Sequence, residues 1–466
     1  MPDTTGRHVP ALPLAELHAS LSDPLLDAMN FLNEVVNRFP EAVSFAPGRP
    51  SEGGFEPEDL FRHLRTYTDH LERDLGWSPE RVRTQLFQYG RTNGIIHELI
   101  ARTVANDEDI HVPPQAVVVT TGCQEAMLLT LRALFAAPED TLLVSSPCYV
   151  GITGAARLLG IPLRPVPEGP AGPDPEAVLA AIRRTRETGG RPRALYVVPD
   201  FANPSGASMT VAARERLLEI AAEEDLLILE DDPYGFFVRT GTARPTLKAL
   251  DRDRRVIHLG SFSKTALPGA RVGYVIADQE VIGPGGRVSL LADELSKIKS
   301  MTTVNTSAVG QAVIGGLLIE SDCRLREANA GAIAFYRSNL DTLLRELDRH
   351  FPADRRAALG IEWNEPDGGF FLVVTVPFLA DHKALERSAR EFGVLWTPMS
   401  DFYLDGGGVR QLRLSCSALE PAGIVDGIAR LAAFVDARIA EAGEYKTRGS
   451  GRRLERVTQT QPPRQK

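Results

Sequence analysis

The chain is expected to fold as an α/β protein, a large layer of mostly parallel strands with helices on its faces, followed by a smaller α+β unit. Three observations carry that expectation. From about residue 116, short β-branched runs alternate with helical patterns, as consecutive βαβ units require. Near residue 318 the alternation stops and a long helical stretch begins. Finally, 466 residues with 43% hydrophobic and 24% charged content suffice for two buried cores.

In chain order, residues 14–39 carry helical spacing, with Leu14, Leu17, Leu21, Leu25, Met29, Leu32 and Val36 near one face. Residues 42–50 then turn the chain extended. Seven strands follow, near 116–120, 141–145, 162–166, 194–198, 226–230, 256–260 and 272–277. The stretches between them, such as 124–137 and 210–224, are rich in Ala, Leu and Arg and read as helices. Functional loops in such sheets lie beyond the carboxyl ends of the strands. Past 318, a helix over 322–350 precedes strands at 370–376, 394–396 and 411–415, and a terminal helix covers 421–441. From about 444 the chain is polar and basic, with Pro462 and Pro463 near its end, which reads as unstructured. The expected divisions are a helix and arm at 1–55, a large domain at 56–318, a small domain at 319–441 and a tail at 442–466.

A net charge of −9 gives no electrostatic footprint for nucleic acid. The four cysteines (Cys123, Cys148, Cys323 and Cys416) show no metal or disulfide spacing, so reduced thiols and no metal are expected, in a cytoplasmic protein. No apolar run approaches a membrane-spanning length, and the amino terminus lacks the basic start and apolar segment of a signal peptide.

The chemistry concentrates in residues 260–274, which read Gly-Ser-Phe-Ser-Lys-Thr-Ala-Leu-Pro-Gly-Ala-Arg-Val-Gly-Tyr. The chain has seven lysines against 45 arginines, so Lys264 at a strand end, beside Ser261 and Ser263, invites a chemical reason. An amine that must lose its proton and attack a carbonyl has to be lysine, because a guanidinium stays charged. The serines and Arg271 suit a phosphate nearby. Together they suggest a Schiff base to pyridoxal phosphate. A helix start capped by Ser263, with Lys264 in solvent, is the plain alternative.

The segment resembles the lysine signature of class I and II aminotransferases, the fold-type I enzymes dependent on pyridoxal phosphate. Further blocks resemble the same family in order, over about residues 40–435. Gly122-Cys-Gln is similar to its Gly-Ser-Gln phosphate turn, with Cys123 in place of serine and Gln124 following; backbone N–H groups at a helix start suit the phosphate. Pro147-Cys-Tyr places Tyr149 where the family stacks an aromatic ring on the cofactor, although Ser145 and Ser146 stand where an acidic residue is usual. Residues 199–206, Pro-Asp-Phe-Ala-Asn-Pro-Ser-Gly, resemble the loop whose asparagine, here Asn203, bonds the cofactor's phenolate oxygen. In Glu230-Asp-Asp-Pro-Tyr, the family's Asp-x-x-Tyr spacing selects Asp231 as partner of the ring nitrogen, which keeps the ring an electron sink, and Tyr234 as a donor to the same phenolate oxygen. Tyr89, in Gln-Tyr-Gly, matches a tyrosine that reaches the phosphate of a neighbouring subunit, implying a homodimer with shared active sites. Arg413, in Leu-Arg-Leu-Ser, matches the arginine that grips the substrate α-carboxylate, and Gly48 a glycine beside that carboxylate.

The resemblance thus implies a fold-type I transferase with Lys264 carrying the cofactor, acting between an amino acid and a 2-oxo acid, with no nucleic-acid or membrane partner. Arg49, beside Gly48, either reads a polar substrate side chain or belongs to the surface. Segments 28–34, 45–50 and 87–96 are similar to transaminases that make hydroxylated arylglycines in bacterial antibiotic pathways. Aminoadipate/kynurenine-type enzymes and those for aromatic or branched-chain amino acids are the alternatives. The same cofactor motifs also serve lyases, decarboxylases and racemases. A regulator that senses the cofactor would need a DNA-binding module, for which fewer than about fifty residues before Phe45 leave no room.

Overall fold

The computed structural model describes residues 11–23, 34, 37–54 and 56–454. After the short β1 (Val43–Ser44) come β2 (Val117–Thr120), β3 (Asp140–Ser146), β4 (Leu163–Gly169), β5 (Gly172–Pro173), β6 (Arg191–Val197), β7 (Leu227–Asp231), β8 (Val256–Ser261) and β9 (Gly273–Ile276). Strands β2 to β9 form one sheet in the order β2-β9-β8-β7-β6-β3-β4-β5. All seven expected strands are present, and the eighth, β5, is a two-residue edge strand. Neighbours from β4 to β8 are parallel, whereas β9 runs antiparallel between β8 and β2.

Alternate residues of the central strands enter different cores, which is why the strands read as continuous apolar runs rather than alternating ones. Tyr196 and Leu229 pack on one face with Val144 and Leu259, beneath the helices Cys123–Leu134 and Val150–Leu158. Leu195 and Ile228 pack on the other face with Leu143 and Val256, against the helices Pro175–Glu187 and Val211–Glu223. Each such side chain, once fully buried, contributes roughly 1.5–3 kcal/mol. The sheet is thereby a rigid frame whose carboxyl ends carry the loops of interest.

Past β9 come a hairpin of β10 (Glu280–Ile282) and β11 (Val288–Leu290), then β12 (Glu362–Trp363), β13 (Phe371–Thr375), β14 (Val394–Leu395), β15 (Thr397–Pro398) and β16 (Gln411–Ser415). An antiparallel sheet, β12-β13-β16-β15, packs with the helices Ala330–His350 and Pro421–Leu454 into a second core around Leu340, Leu343, Trp396, Leu412 and Phe434. Phe45 belongs to that core, and β1 pairs in parallel with β14. The amino-terminal segment is therefore sewn into the carboxyl-terminal unit, and this carries residues 46–49 to the junction with the large sheet.

Two expectations are corrected. The described part of 14–39 begins with two short 3₁₀ turns, Leu14–Glu16 and Ala19–Ser22, not an α-helix, while residues 34, 37 and 38 are helical as expected. Asp23 is extended (φ −79°, ψ 123°) because it precedes Pro24, whose ring disfavours a helical conformation there. The expected positions 25, 29, 32 and 36 lie outside the described residues. At the other end the last helix continues to Leu454, through part of the tail expected to be unstructured. Proline is absent from residues 422–461, and helix formers such as Ala440, Glu441, Ala442, Glu444 and Lys446 continue the segment. Residues 455–466 lie outside the described part. Among the described residues no helix is long and apolar enough to cross a membrane.

Candidate active site

A cavity of about 490 Å³ opens at the carboxyl ends of the parallel strands, between the large sheet and the small unit. Lys264, Asp231, Asn203, Tyr149, Tyr234, Cys123, Gln124, Ser261, Ser263, Arg271, Gly48, Arg49 and Arg413 all line it. These come from the start, the middle and the end of the chain.

Lys264 follows β8 and points its Nζ at the Gly48 carbonyl, 2.8 Å away. Burial, reinforced by Arg271, pushes its pKa down to about 8, although Asp231 pulls the other way. An amine near that value exchanges its proton at neutral pH and has a usable neutral fraction. The helix start with a solvated lysine is excluded: Lys264 lies within the cavity. Gly48 has to be glycine, since a Cβ there would stand 2.6 Å from the Phe371 ring.

Asp231 ends β7. Its Oδ2 accepts from the Tyr196 phenol at 2.6 Å and its Oδ1 from the Cys123 thiol at 3.3 Å. Burial pushes its carboxyl up, and these donors with the nearby His258 and Lys264 charges pull it down. The neighbouring Glu230 points to the opposite face, where it accepts from the Leu247 and Lys248 N–H groups at 2.6 and 2.9 Å and pairs with His258 at 3.1 Å. One strand thus sends one carboxylate to the cavity and the next into the frame.

Gly122 adopts φ +74° before the helix Cys123–Leu134, and a Cβ there would overlap the Arg271 guanidinium. Glycine lets Arg271 lie against that helix start, where free N–H groups and the helix dipole face the cavity. Ser261 Oγ accepts from the Ser263 N–H at 3.1 Å, folding the serine turn toward the same place. Gln124 donates to the Gly151 carbonyl at 2.8 Å and braces the next helix. Tyr149 caps that helix's start, and burial pushes its phenol up. Tyr234 is likewise raised by burial; it faces Asn203 and stands edge-on to Phe370 and Phe371, 5.4 and 5.5 Å between ring centres.

Arg413 enters from β16. Its Nη1 donates to Asn203 Oδ1 at 2.6 Å, and its Nη2 to the Ala46 carbonyl at 2.6 Å and Thr397 Oγ1 at 3.2 Å. The guanidinium lies between Phe371 and Phe402, 4.6 and 5.0 Å from their centres, and burial lowers its pKa to about 10. Its buried Nε has no partner. A buried cation with an unused donor and no carboxylate partner among the described residues is a receptor for an anion. Arg49, at the rim, pairs with Glu52 at 3.0 Å.

These features fit a phosphorylated pyridine aldehyde: an amine of lowered pKa, an anion cradle at a glycine-opened helix start, a buried carboxylate and the aromatic ring of Tyr149 in one cavity. Of the predicted residues, Gly122 lies just behind the lining, at the start of the helix whose Cys123 and Gln124 face the cavity, and Tyr89 stands outside it. Tyr89 follows the helix Pro79–Phe87 and is 85% exposed.

Sequence reasoning missed Tyr196 and Phe402. Tyr196 pairs with Leu229 across β6 and β7, so Asp231, two residues on, lies diagonally opposite on the same face. Strand order was the signal that would have found it. For Phe402, on a short turn after β15, no sequence signal exists.

The family model for aminotransferase class I and II matches residues 80–431. The chain is 49% identical over 433 residues to the (S)-3,5-dihydroxyphenylglycine transaminase of Amycolatopsis orientalis, covering 92% of this chain and 95% of that one. It is 32% identical to the 2-aminoadipate transaminase of Thermus thermophilus, covering 84% and 89%. Among solved structures it superposes with a TM-score of 0.73 on the α-aminoadipate aminotransferase LysN of Thermus thermophilus, complexed with N-(5'-phosphopyridoxyl)-L-leucine, at 28% identity and 91% and 100% coverage.

Proposed function

Since the chain belongs to the aminotransferase class I and II family and is a pyridoxal-phosphate-dependent aminotransferase, we propose that its substrates are a ring-hydroxylated arylglycine and the matching arylglyoxylate. Bound pyridoxal phosphate supplies an aldehyde for the amine and a ring that takes up electron density when the substrate Cα loses its proton. The remaining work falls to residues of this chain. Lys264 carries the cofactor, and once displaced by the substrate its Nζ takes the α-proton and hands it on. Asp231 partners the ring nitrogen, and Asn203 and Tyr234 attend the ring oxygen. Tyr149 covers the ring face. Arg271, Ser261, Ser263 and backbone N–H groups at Cys123 and Gln124 hold the phosphate, with Gly122 opening the turn. Arg413 grips the α-carboxylate, with Gly48 against it.

The charge inventory of the cavity carries the choice of substrate. Its cations are Lys264, Arg271, Arg413 and Arg49. The first three have the tasks above, and Arg49 is paired with Glu52. No unpaired cation remains among the described residues for a distal carboxylate, which favours a neutral side chain over aspartate or aminoadipate. The relative from Amycolatopsis orientalis supports an aryl group.

The reading includes a homodimer in which Tyr89 of each chain completes the other's phosphate site. The exposure of Phe61, Phe87, Tyr89 and Met301, 72–85%, supports an apolar surface that a second copy covers. The divisions at 55 and 318, and a cytoplasmic location, belong to the same proposal.

The test is a panel of 2-oxo acids offered to the amino form of the purified enzyme. 4-Hydroxyphenylglyoxylate and 3,5-dihydroxyphenylglyoxylate are expected to give the highest kcat/KM. Faster conversion of phenylpyruvate or 2-oxoadipate overturns the substrate assignment. Release of carbon dioxide, or racemised substrate as the main product, overturns transamination.

A further inference from the structure

Asp231 carries two donors, one on each carboxylate oxygen, and neither is needed by the element it comes from. Tyr196 belongs to a strand whose backbone is already paired on both sides, to β3 and β7. Tyr196 is 1% exposed, and its phenol spends its hydrogen on Asp231 Oδ2 at 2.6 Å. Cys123 is the first residue of the helix Cys123–Leu134, and its thiol reaches Asp231 Oδ1 at 3.3 Å. The thiol could have faced the anion cradle beside Gly122, yet it turns to the carboxylate. Burial, with Asp231 alongside, pushes the Cys123 thiol well above its usual range, so it stays a neutral S–H donor.

We propose that Tyr196 and Cys123 are positioning residues that clamp the Asp231 carboxylate from both oxygens and hold it turned toward the cofactor's ring nitrogen. The inference rests on the reading of Asp231 given above. Each carboxylate oxygen accepts two hydrogen bonds, so a donor on each still leaves a free acceptor position. A carboxylate fixed by two donors cannot rotate about its Cβ–Cγ bond without breaking one of them, so its direction is set before the cofactor arrives. The donors also offset the cost of burying Asp231 as an anion. Substituting serine for Cys123 keeps a donor at the same position; alanine removes it.

The experiment uses the full-length enzyme and three variants, Tyr196→Phe, Cys123→Ala and Cys123→Ser. Each is freed of cofactor and titrated with pyridoxal phosphate, and in parallel with the analogue that has a C–H group in place of the ring nitrogen. Dissociation constants and the pH dependence of the visible absorbance of the lysine-bound cofactor are read. Tyr196→Phe is expected to weaken pyridoxal phosphate about tenfold, and Cys123→Ala about threefold, the thiol being the weaker donor. Both are expected to bind the analogue as the parent does, and Cys123→Ser is expected to recover the pyridoxal phosphate affinity that Cys123→Ala loses. The pH at which the visible band changes should shift in Tyr196→Phe with pyridoxal phosphate and not with the analogue. Equal losses with both cofactors mean that the residues only support the fold, and overturn the clamp. So does an unchanged affinity for pyridoxal phosphate. If the parent enzyme and Asp231→Asn fail to distinguish pyridoxal phosphate from the analogue, the reading of Asp231 falls first, a result visible without any clamp variant.

Discussion

Two buried arginines hold the loop of residues 199–206, Arg214 at Pro199 and Asp200 and Arg413 at Asn203, and they are wired differently. Arg214, 0% exposed, gives its Nη2 to Asp200 Oδ1 at 2.6 Å and the Pro199 carbonyl at 3.1 Å, its Nη1 to the Pro245 carbonyl at 2.9 Å and its Nε to the Met209 carbonyl at 3.4 Å. It has an anion and no unused nitrogen. Arg413, 4% exposed, holds Asn203 in the same loop, but it has no carboxylate partner among the described residues and its Nε is idle. Aromatic faces, not an anion, surround it. A completed charge is frame; an incomplete one waits for a ligand. The difference predicts opposite responses to the same substitution.

The largest effect is expected at Arg413. Arg413→Met should lower kcat/KM for every amino acid by about 10²–10³, the cost of losing a buried, hydrogen-bonded partner for the α-carboxylate. Its melting temperature should hold or rise, because an unpaired buried cation is removed. A large loss of stability in this variant breaks the comparison. Arg214→Met should do the reverse. It leaves Asp200, whose carboxyl burial already pushes up, with only the longer pairing to Arg244 at 3.6 Å, and about 3 kcal/mol of stability should be lost. Activity per folded molecule should change little. Denaturant unfolding and active-site titration on the same samples separate the two.

A third buried cation sharpens the contrast through pH. Lys264 is charged in its resting form yet is needed neutral, and burial sets its pKa to about 8 instead of the ordinary 10.5. The rate at which the cofactor-free enzyme takes up pyridoxal phosphate should follow the neutral fraction. It should climb about tenfold per pH unit below pH 8 and level off above it. A rate still climbing at pH 10 would mean an ordinary lysine. The sign for stability follows: the folded pKa lies below the unfolded one, so this group destabilises the folded state below about pH 8. That penalty fades as pH rises toward 10.5.

The contrast also marks what the sequence could and could not disclose. Lys264, Asn203, Asp231 and Arg413 were legible because each sits in a short segment whose neighbours are constrained with it: glycine that must leave room, serine that must cap, proline that must turn. The seven main strands were legible because strands buried on both faces of a sheet are short apolar runs rich in β-branched residues. Arg214 and Arg413 look alike as letters, each an arginine in an apolar pattern, and only packing separates the satisfied one from the other. Tyr196 was silent because its partner is set by the order of strands, not by chain spacing. Cys123 was visible as a departure from serine, but the direction of its thiol was not. Leucine spacing over 14–39 suggested one helix, whereas its described start at 14–22 forms 3₁₀ turns.

The smallest effect belongs to a third arginine, Arg49, which lies at the rim and not in the interior. Its pairing with Glu52 is between side chains 59% and 78% exposed, so it is screened and worth no more than about 0.2–1 kcal/mol. The pair nevertheless decides whether the cavity offers a free cation to a distal carboxylate. Glu52→Gln leaves the guanidinium in place and unpaired, and kcat/KM for 2-oxoadipate relative to 4-hydroxyphenylglyoxylate should rise about two- to fivefold. Arg49→Ala should leave the arylglyoxylate rate within about twofold, since a neutral ring has no use for that charge. An unchanged ratio in Glu52→Gln makes Arg49 a surface residue without a vote on the substrate. A tenfold loss of arylglyoxylate turnover in Arg49→Ala would show that the rim arginine reads the ring hydroxyls. Arg49 would then join Arg413 as an incomplete charge awaiting its ligand, and the rule separating frame from site would extend to exposed residues.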